Sequence, residues 1–221
     1  MTEEIPGLRE RKKLRTRSTL IDVAVDLCLR QGYDKTTVEQ IAAAADVSPR
    51  TFSRYFPTKD SVITAAADEI DDIIAAALAA QPRGITEFEA LLRAHVEAFS
   101  PGPTGPSPAF ARMAVMIQIV NASPTLNESA FAIKQDLDEN SSLRVLGQRM
   151  GLAPDDPAVR VLADTWTVLF ATSFRGMGTP GNDPVEPGIL CARLTETVDI
   201  FTRLWTPWEP NGQPPAGEPR G

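Results

Sequence analysis

Two cysteines and one histidine are all this 221-residue chain holds of the residue types that build disulfide frameworks and most metal centres. Cys28 and Cys191 lie far apart and show no zinc-ligand spacing, so both read as buried or inert thiols. A lone His95 does not support a Ser-His-Asp set. The sequence has no P-loop, no dinucleotide glycine fingerprint, no Cys-x-x-Cys and no His-x-x-Glu. The expectation is therefore no enzyme, no catalytic residues, no metal and no cofactor. No run approaches the ~18 consecutive apolar residues of a membrane helix. The start, Met1-Thr2-Glu3-Glu4, leads into basic residues rather than an apolar signal core. A cytoplasmic protein with no membrane partner is expected.

What is present is the balance of a soluble globular chain, with 43% apolar and 23% charged residues. The net charge of −7 hides a polarity. Residues 1–60 carry 11 Lys/Arg against 9 Asp/Glu, whereas the remainder carries 11 against 20. Six bases and one acid fall within residues 9–17 alone. A basic end on an acidic protein suits a polyanion that touches only that end, and equally suits a solvated helix start. Charge alone leaves both open.

Strand-like alternation is absent, and Pro or Gly punctuates segments of helical length, so the fold class is all-α with about nine helices. The first helix runs from about Leu8 to Leu29, with Leu20, Ala24 and Leu27 on its apolar face and Gly32 as its stop. A short second helix follows Thr37, which has capping-box spacing with Gln40. A four-residue break, Asp46-Val47-Ser48-Pro49, leads to a third helix with Ser48 as N-cap and Pro49 in the favoured first position. One long fourth helix is expected from Thr58 through Ala80, then helices near 86–100, 109–121, 125–150, 157–177 and 187–205. The Pro- and Gly-rich stretch 207–221 reads as a disordered tail.

Two short helices separated by a four-residue turn have the spacing of a helix-turn-helix. Val38, Ile41, Ala42, Ala45, Val47 and Phe52 can pack both helices on the first. Phe52 and Phe56, four apart, point inward together. Arg50, Thr51, Ser53 and Arg54 then face outward, with the reach and chemistry for base edges and phosphates. The start of the third helix offers backbone N–H groups to a phosphate, and Lys59 adds a cation nearby.

Residues 14–63 resemble the DNA-binding head of the TetR family of bacterial one-component regulators. The likeness is carried by Thr36-Thr37-Val38-x-x-Ile41-Ala42-x-x-Ala45-x-Val47-Ser48 and Thr51-Phe52-x-x-Tyr55-Phe56-Pro57-x-Lys59. The resemblance implies a ligand-responsive transcription regulator, most often a repressor released from a palindromic double-stranded DNA operator by a small-molecule effector. It also implies a homodimer through helices near 157–177 and 187–205. A head at 1–60 and an effector-binding and dimerisation body at 61–206 follow. The body from Ala153 to Trp205 also resembles the mycofactocin-system regulators, which implies acyl-type effectors.

Carried over by position, Thr37, Tyr55 and Lys59 match phosphate-contacting positions, and Arg50 and Thr51 match base-reading ones. The DNA-contacting candidates are Arg15, Thr36, Thr37, Ser48, Pro49, Arg50, Thr51, Ser53, Arg54, Tyr55 and Lys59. Tyr55 has a second reading as pure core packing, although a rim position lets the ring pack while the hydroxyl points outward. Two positions depart from the family pattern: Ser53 stands where an aromatic is usual, and Asp46 where glycine is usual, which calls for a left-handed aspartate. In the body, His95, Phe99, Met113, Met116, Phe131, Trp166 and Phe170 are the effector-contact candidates, although each also reads as core. With few charged residues beside them, an apolar effector is expected.

Overall fold

The computed structural model describes residues 7–126 and 141–204. Among them are ten α-helices, one 3-10 turn and no strand beyond an isolated bridge between Gly102 and Gly105. Helix α1 (Leu8–Gln31) ends at Gly32, whose φ of 88° lets its N–H donate back to the Cys28 carbonyl. Helix α2 (Val38–Ala44) opens with the expected capping box, Thr37 and Gln40 each bonding the other's backbone N–H. Helix α3 (Pro49–Tyr55) is capped by the Ser48 hydroxyl, which accepts from the Thr51 N–H at 3.0 Å. Between them Asp46 stands at φ 55°, the left-handed conformation expected of it.

The long fourth helix is the main departure from expectation. Helix α4 (Lys59–Thr64) gives way to a 3-10 turn (Ala65–Ala67), and α5 (Asp68–Ala80) starts afresh. Three alanines are the best of helix formers, so propensity does not cause the break. Two local features accompany it. The Thr64 hydroxyl bonds back to the carbonyls of Asp60 and Ser61, which bends helices. Asp68, Glu69 and Asp71 then occupy the first turn of α5, where acids complement a helix N-terminus. Arg17 of α1 and Arg112 pair with Asp68 and Glu69 and hold that end in place.

The body continues with α6 (Glu87–Phe99), α7 (Pro108–Ala122), α8 (Ser141–Met150), α9 (Pro157–Phe174) and α10 (Pro187–Leu204). Of the helix expected at 125–150, residues 127–140 lie outside the described set, as do Phe131 and the tail at 207–221. Helix α5 packs against α6 and α8, α9 pairs with α10, and α1 touches α2, α4 and α7. One apolar core runs from Leu20 and Phe52 to Leu190 and Leu194. No described helix is long and apolar enough to cross a membrane.

Two arginines fasten the α5–α6 corner to the end of α8. Arg149, its side chain 1% exposed, pairs with Glu87 and donates to the carbonyls of Leu78, Gln81 and Pro82. In return Arg83 donates to the carbonyls of Gln148 and Arg149. Arg149 thereby satisfies carbonyls left open at and just beyond the C-terminal end of α5, and Arg83 those at the C-terminal end of α8.

Candidate functional site

The helix-turn-helix follows from burial. Ile41, Ala42 and Phe52 are buried, and Phe56 packs on Phe52 with ring centroids 5.9 Å apart. Apart from the half-buried Thr51 and Tyr55, the remaining residues of α3 face outward. Arg50, Ser53 and Arg54 are exposed. Arg54 lies over the Tyr55 ring at 5.4 Å, and Tyr55 is half-buried at the rim. The exposed Ser48 and half-buried Thr51 share a hydroxyl–hydroxyl hydrogen bond of 2.9 Å. The Ser53 hydroxyl donates to the Pro49 carbonyl at 3.1 Å, which leaves its lone pairs outward. Thr37 and Pro49 are exposed, and Arg15 is exposed one turn before Thr19 on α1.

Two candidates are turned inward. Thr36 is 1% exposed and its hydroxyl donates to the Gly32 carbonyl at 2.9 Å, so this side chain closes the α1–α2 loop. Lys59 sends its ammonium into the same loop. It donates to the carbonyls of Tyr33 and Thr36, each at 2.9 Å, and sits 3.8 Å from the Tyr33 ring centroid. A cation at the start of a helix opposes the helix dipole, and here it has gone to loop carbonyls instead. Tyr33 in turn hydrogen-bonds Asp60 through its hydroxyl. Burial and that carboxylate push the Tyr33 phenol up from its ordinary value.

The body holds a partly open cavity of about 130 Å³. Helix α9 contributes Trp166, Phe170 and Phe174, α7 contributes Met113, Met116 and Val120, and α5 contributes Ile70, Asp71 and Ile74. Leu143 and Leu146 of α8 and Leu91 and His95 of α6 complete most of the wall. Thr64 and Ala67, at the break between α4 and α5, also line it. Five of the sequence candidates therefore meet here: His95, Met113, Met116, Trp166 and Phe170. Phe99 does not reach the cavity. It is 1% exposed and backs the wall, its ring edge-on to His95 with centroids 5.7 Å apart.

His95 is fixed by two neighbours. Its Nδ1 lies 2.8 Å from the Leu91 carbonyl and its Nε2 accepts the Trp166 indole N–H at 3.1 Å. This pattern assigns the proton to Nδ1 and leaves the ring neutral.

Asp71 and Ser142 escaped the sequence reading. The Asp71 carboxylate accepts from the backbone N–H of Ser141 and from the N–H and hydroxyl of Ser142. Nothing near Asp71 in sequence announces a partner seventy residues away; the one available signal is its place beside the apolar stripe Ile70–Ile74.

Comparison with known proteins agrees with this geometry. Residues 20–66 match the family described as bacterial regulatory proteins, tetR family. The chain is 37% identical over 154 residues to the HTH-type transcriptional regulator TcmR of Streptomyces glaucescens, covering 68% of this chain and 67% of that protein. It is 28% identical over 155 residues to the regulator RutR of Escherichia coli K12, covering 68% and 71%. Among solved structures, FadR of Thermus thermophilus, a repressor in complex with lauroyl-CoA, aligns with a TM-score of 0.49 at 20% identity, over 91% of this chain and 100% of that one. On the helix-turn-helix, the matched head and the extended identity to TcmR, the chain belongs to the tetR family of bacterial regulatory proteins, which are DNA-binding transcriptional regulators.

Proposed function

We propose that the chain is a homodimeric repressor whose head, residues 1–60, reads a two-half-site operator. The body, residues 61–206, releases that operator when a small, largely apolar effector fills its cavity. The observation that carries the DNA reading is the division of α3: Phe52 is buried while Arg50, Ser53 and Arg54 face solvent. Arg50 and Thr51 would read bases. Arg15, Thr37, Ser48, Pro49, Ser53, Arg54 and Tyr55 would position the backbone.

The pairing of α9 with α10 supports these helices as the dimer surface. Trp166, Leu169, Leu190, Leu194 and Val198 of these helices are buried within the chain. What remains outward is Val161, Val168, Ile200 and Leu204, between 41% and 77% exposed. The link to DNA release runs through α4. It begins at Lys59, tied to the α1–α2 loop, and ends at Thr64 and the turn whose Ala67 lines the cavity. By linkage, operator DNA lowers effector affinity by the factor by which effector lowers operator affinity.

Selection of bound duplexes from a random-sequence library tests the reading. It should enrich an inverted repeat with half-sites about one helical turn, ~34 Å, apart, and light scattering should give the mass of a dimer. Enrichment of no motif, or a monomer mass at micromolar concentration, would refute it.

The mycofactocin-type likeness of the C-terminal body would point to an acyl effector. The polar lining of the cavity bears on that choice.

A further inference from the structure

We infer that the cavity takes a planar aromatic ligand carrying a cationic nitrogen, rather than a carboxylate- or phosphate-bearing acyl chain; this rests on the reading of that cavity as the effector site. Shape is the first argument. Trp166, Phe170 and Phe174 stand at i, i+4 and i+8 along α9, a row of rings about 12 Å long. His95 joins it, 4.9 Å from Trp166 and 5.4 Å from Phe170 between ring centroids, and Phe170 and Phe174 are 5.2 Å apart. Met113 and Met116 of α7 add polarisable thioethers, which pack well on aromatic rings. The rings are tilted by 56–75° to one another, so they offer a flat aromatic ligand both faces and edges to pack on.

Charge is the second, independent argument. Among the described lining residues Asp71 is the one charged side chain, and none is Lys or Arg. The carboxylate is held in place by Ser141 and Ser142. His95, with its Nε2 occupied by the indole N–H, supplies no positive charge. An anionic head group entering here loses its hydration and meets a like charge, with no cation among the described lining residues to offset it. A cation gains twice, from the carboxylate and from the faces of the rings.

The test is an isostere series measured by calorimetry on the purified full chain: 9-aminoacridine as cation, acridine as neutral ring, acridine-9-carboxylate as anion, and laurate as the acyl probe. The cation should bind about tenfold tighter than acridine, with the carboxylate and laurate weaker still. Asp71→Asn keeps an acceptor for the serine N–H groups and should remove most of the cation's advantage while sparing acridine. Equal affinity across the three acridines, no binding by any of them, or laurate as the tightest ligand would overturn the ligand class. The wild-type series stands without any variant. Ala163→Trp and Thr167→Trp, which fill the cavity, separate the two readings. Acridine binding that survives both, in folded variants, would overturn the cavity as the site. Binding lost in both but indifferent to charge would overturn the ligand class alone.

Discussion

The Lys59 ammonium lies 3.8 Å from the centroid of the Tyr33 ring, with two loop carbonyls as its hydrogen-bond acceptors. The lysine that the family pattern offers to a phosphate is here a bolt between the start of α4 and the α1–α2 loop. The same loop positions Thr37, and so the entry to α2. On that geometry Lys59 is expected to act on DNA binding mainly through the shape of the head.

Lys59→Ala should accordingly lower the stability of the protein by about 1–3 kcal/mol, the range for charge-assisted hydrogen bonds with a partly desolvated cation–π contact. It should weaken DNA binding at every salt concentration by a similar factor. The slope of log affinity against log salt is the deciding measurement. A bolt leaves it nearly unchanged, whereas a phosphate contact would flatten it by about one unit per subunit.

Tyr33 makes a prediction about alkaline pH. Its phenol is raised in the folded state by burial and by Asp60, so the folded protein holds this proton more tightly than the unfolded chain. The stability it contributes is complete below the unfolded phenol value of about 10 and is lost as pH rises beyond it toward the folded value. Chemical denaturation at pH 8 and pH 11 should show a loss for wild type that Tyr33→Phe reduces. Equal losses in both would detach the alkaline response from this residue.

Arg50 and Arg54 should separate by what they read. Arg50→Ala should relax sequence preference, costing about 1–3 kcal/mol per half-site for a bidentate base contact. Arg54, lying over Tyr55, should on replacement by alanine weaken binding to all sequences alike. Competition against scrambled duplex measures this directly. The same specificity ratio in both variants would remove the distinction.

Much of the head was legible because its signals are local. A capping pair three residues apart, a proline after a serine and two phenylalanines four apart each fix structure within one turn. The placements that could not be read share the opposite property. Lys59 turns inward because of a loop more than twenty residues upstream, and Asp71 meets Ser142 across the body. The break at Ala65–Ala67 had a local mark, the acids Asp68, Glu69 and Asp71 in a new first turn, but three alanines hid it. For the cavity, helical spacing placed five wall residues together. It could not distinguish Phe99, behind the wall, from Phe170, in it, since both lie on apolar stripes.

Asp46 carries a backbone cost that substitution can reveal. Its φ of 55° makes it the one non-glycine with positive φ among the described residues. Asp46→Gly should be neutral or mildly stabilising, because relieved Cβ strain offsets the added freedom of the unfolded chain. Asp46→Val should cost more than 1 kcal/mol, since a β-branched side chain fits a left-handed backbone badly. Both should change thermal stability and DNA affinity while leaving acridine binding in the body unaltered. A valine variant as stable as wild type would contradict the turn geometry.

Arg149 tests how far the body depends on one buried charge. Its guanidinium serves Glu87 at 2.7 Å and three carbonyls at the α5–α6 corner, so a shorter or uncharged side chain leaves several buried acceptors without donors. Arg149→Met should cost about 3–5 kcal/mol, the usual result of removing one partner of a buried pair. Arg149→Lys should recover only part, because a single ammonium cannot span the fork that reaches Glu87 and Pro82 together. The double variant Arg149→Met with Glu87→Gln should be less damaged than the single one, since the carboxylate left behind is then neutral. Helices α5 and α8 supply Ile70, Asp71, Leu143 and Leu146 to the cavity, so the loosened corner should also weaken acridine binding while operator binding at saturating protein persists. Urea denaturation gives the stabilities and calorimetry the affinities. A fully stable Arg149→Met would mean the corner holds by apolar packing alone.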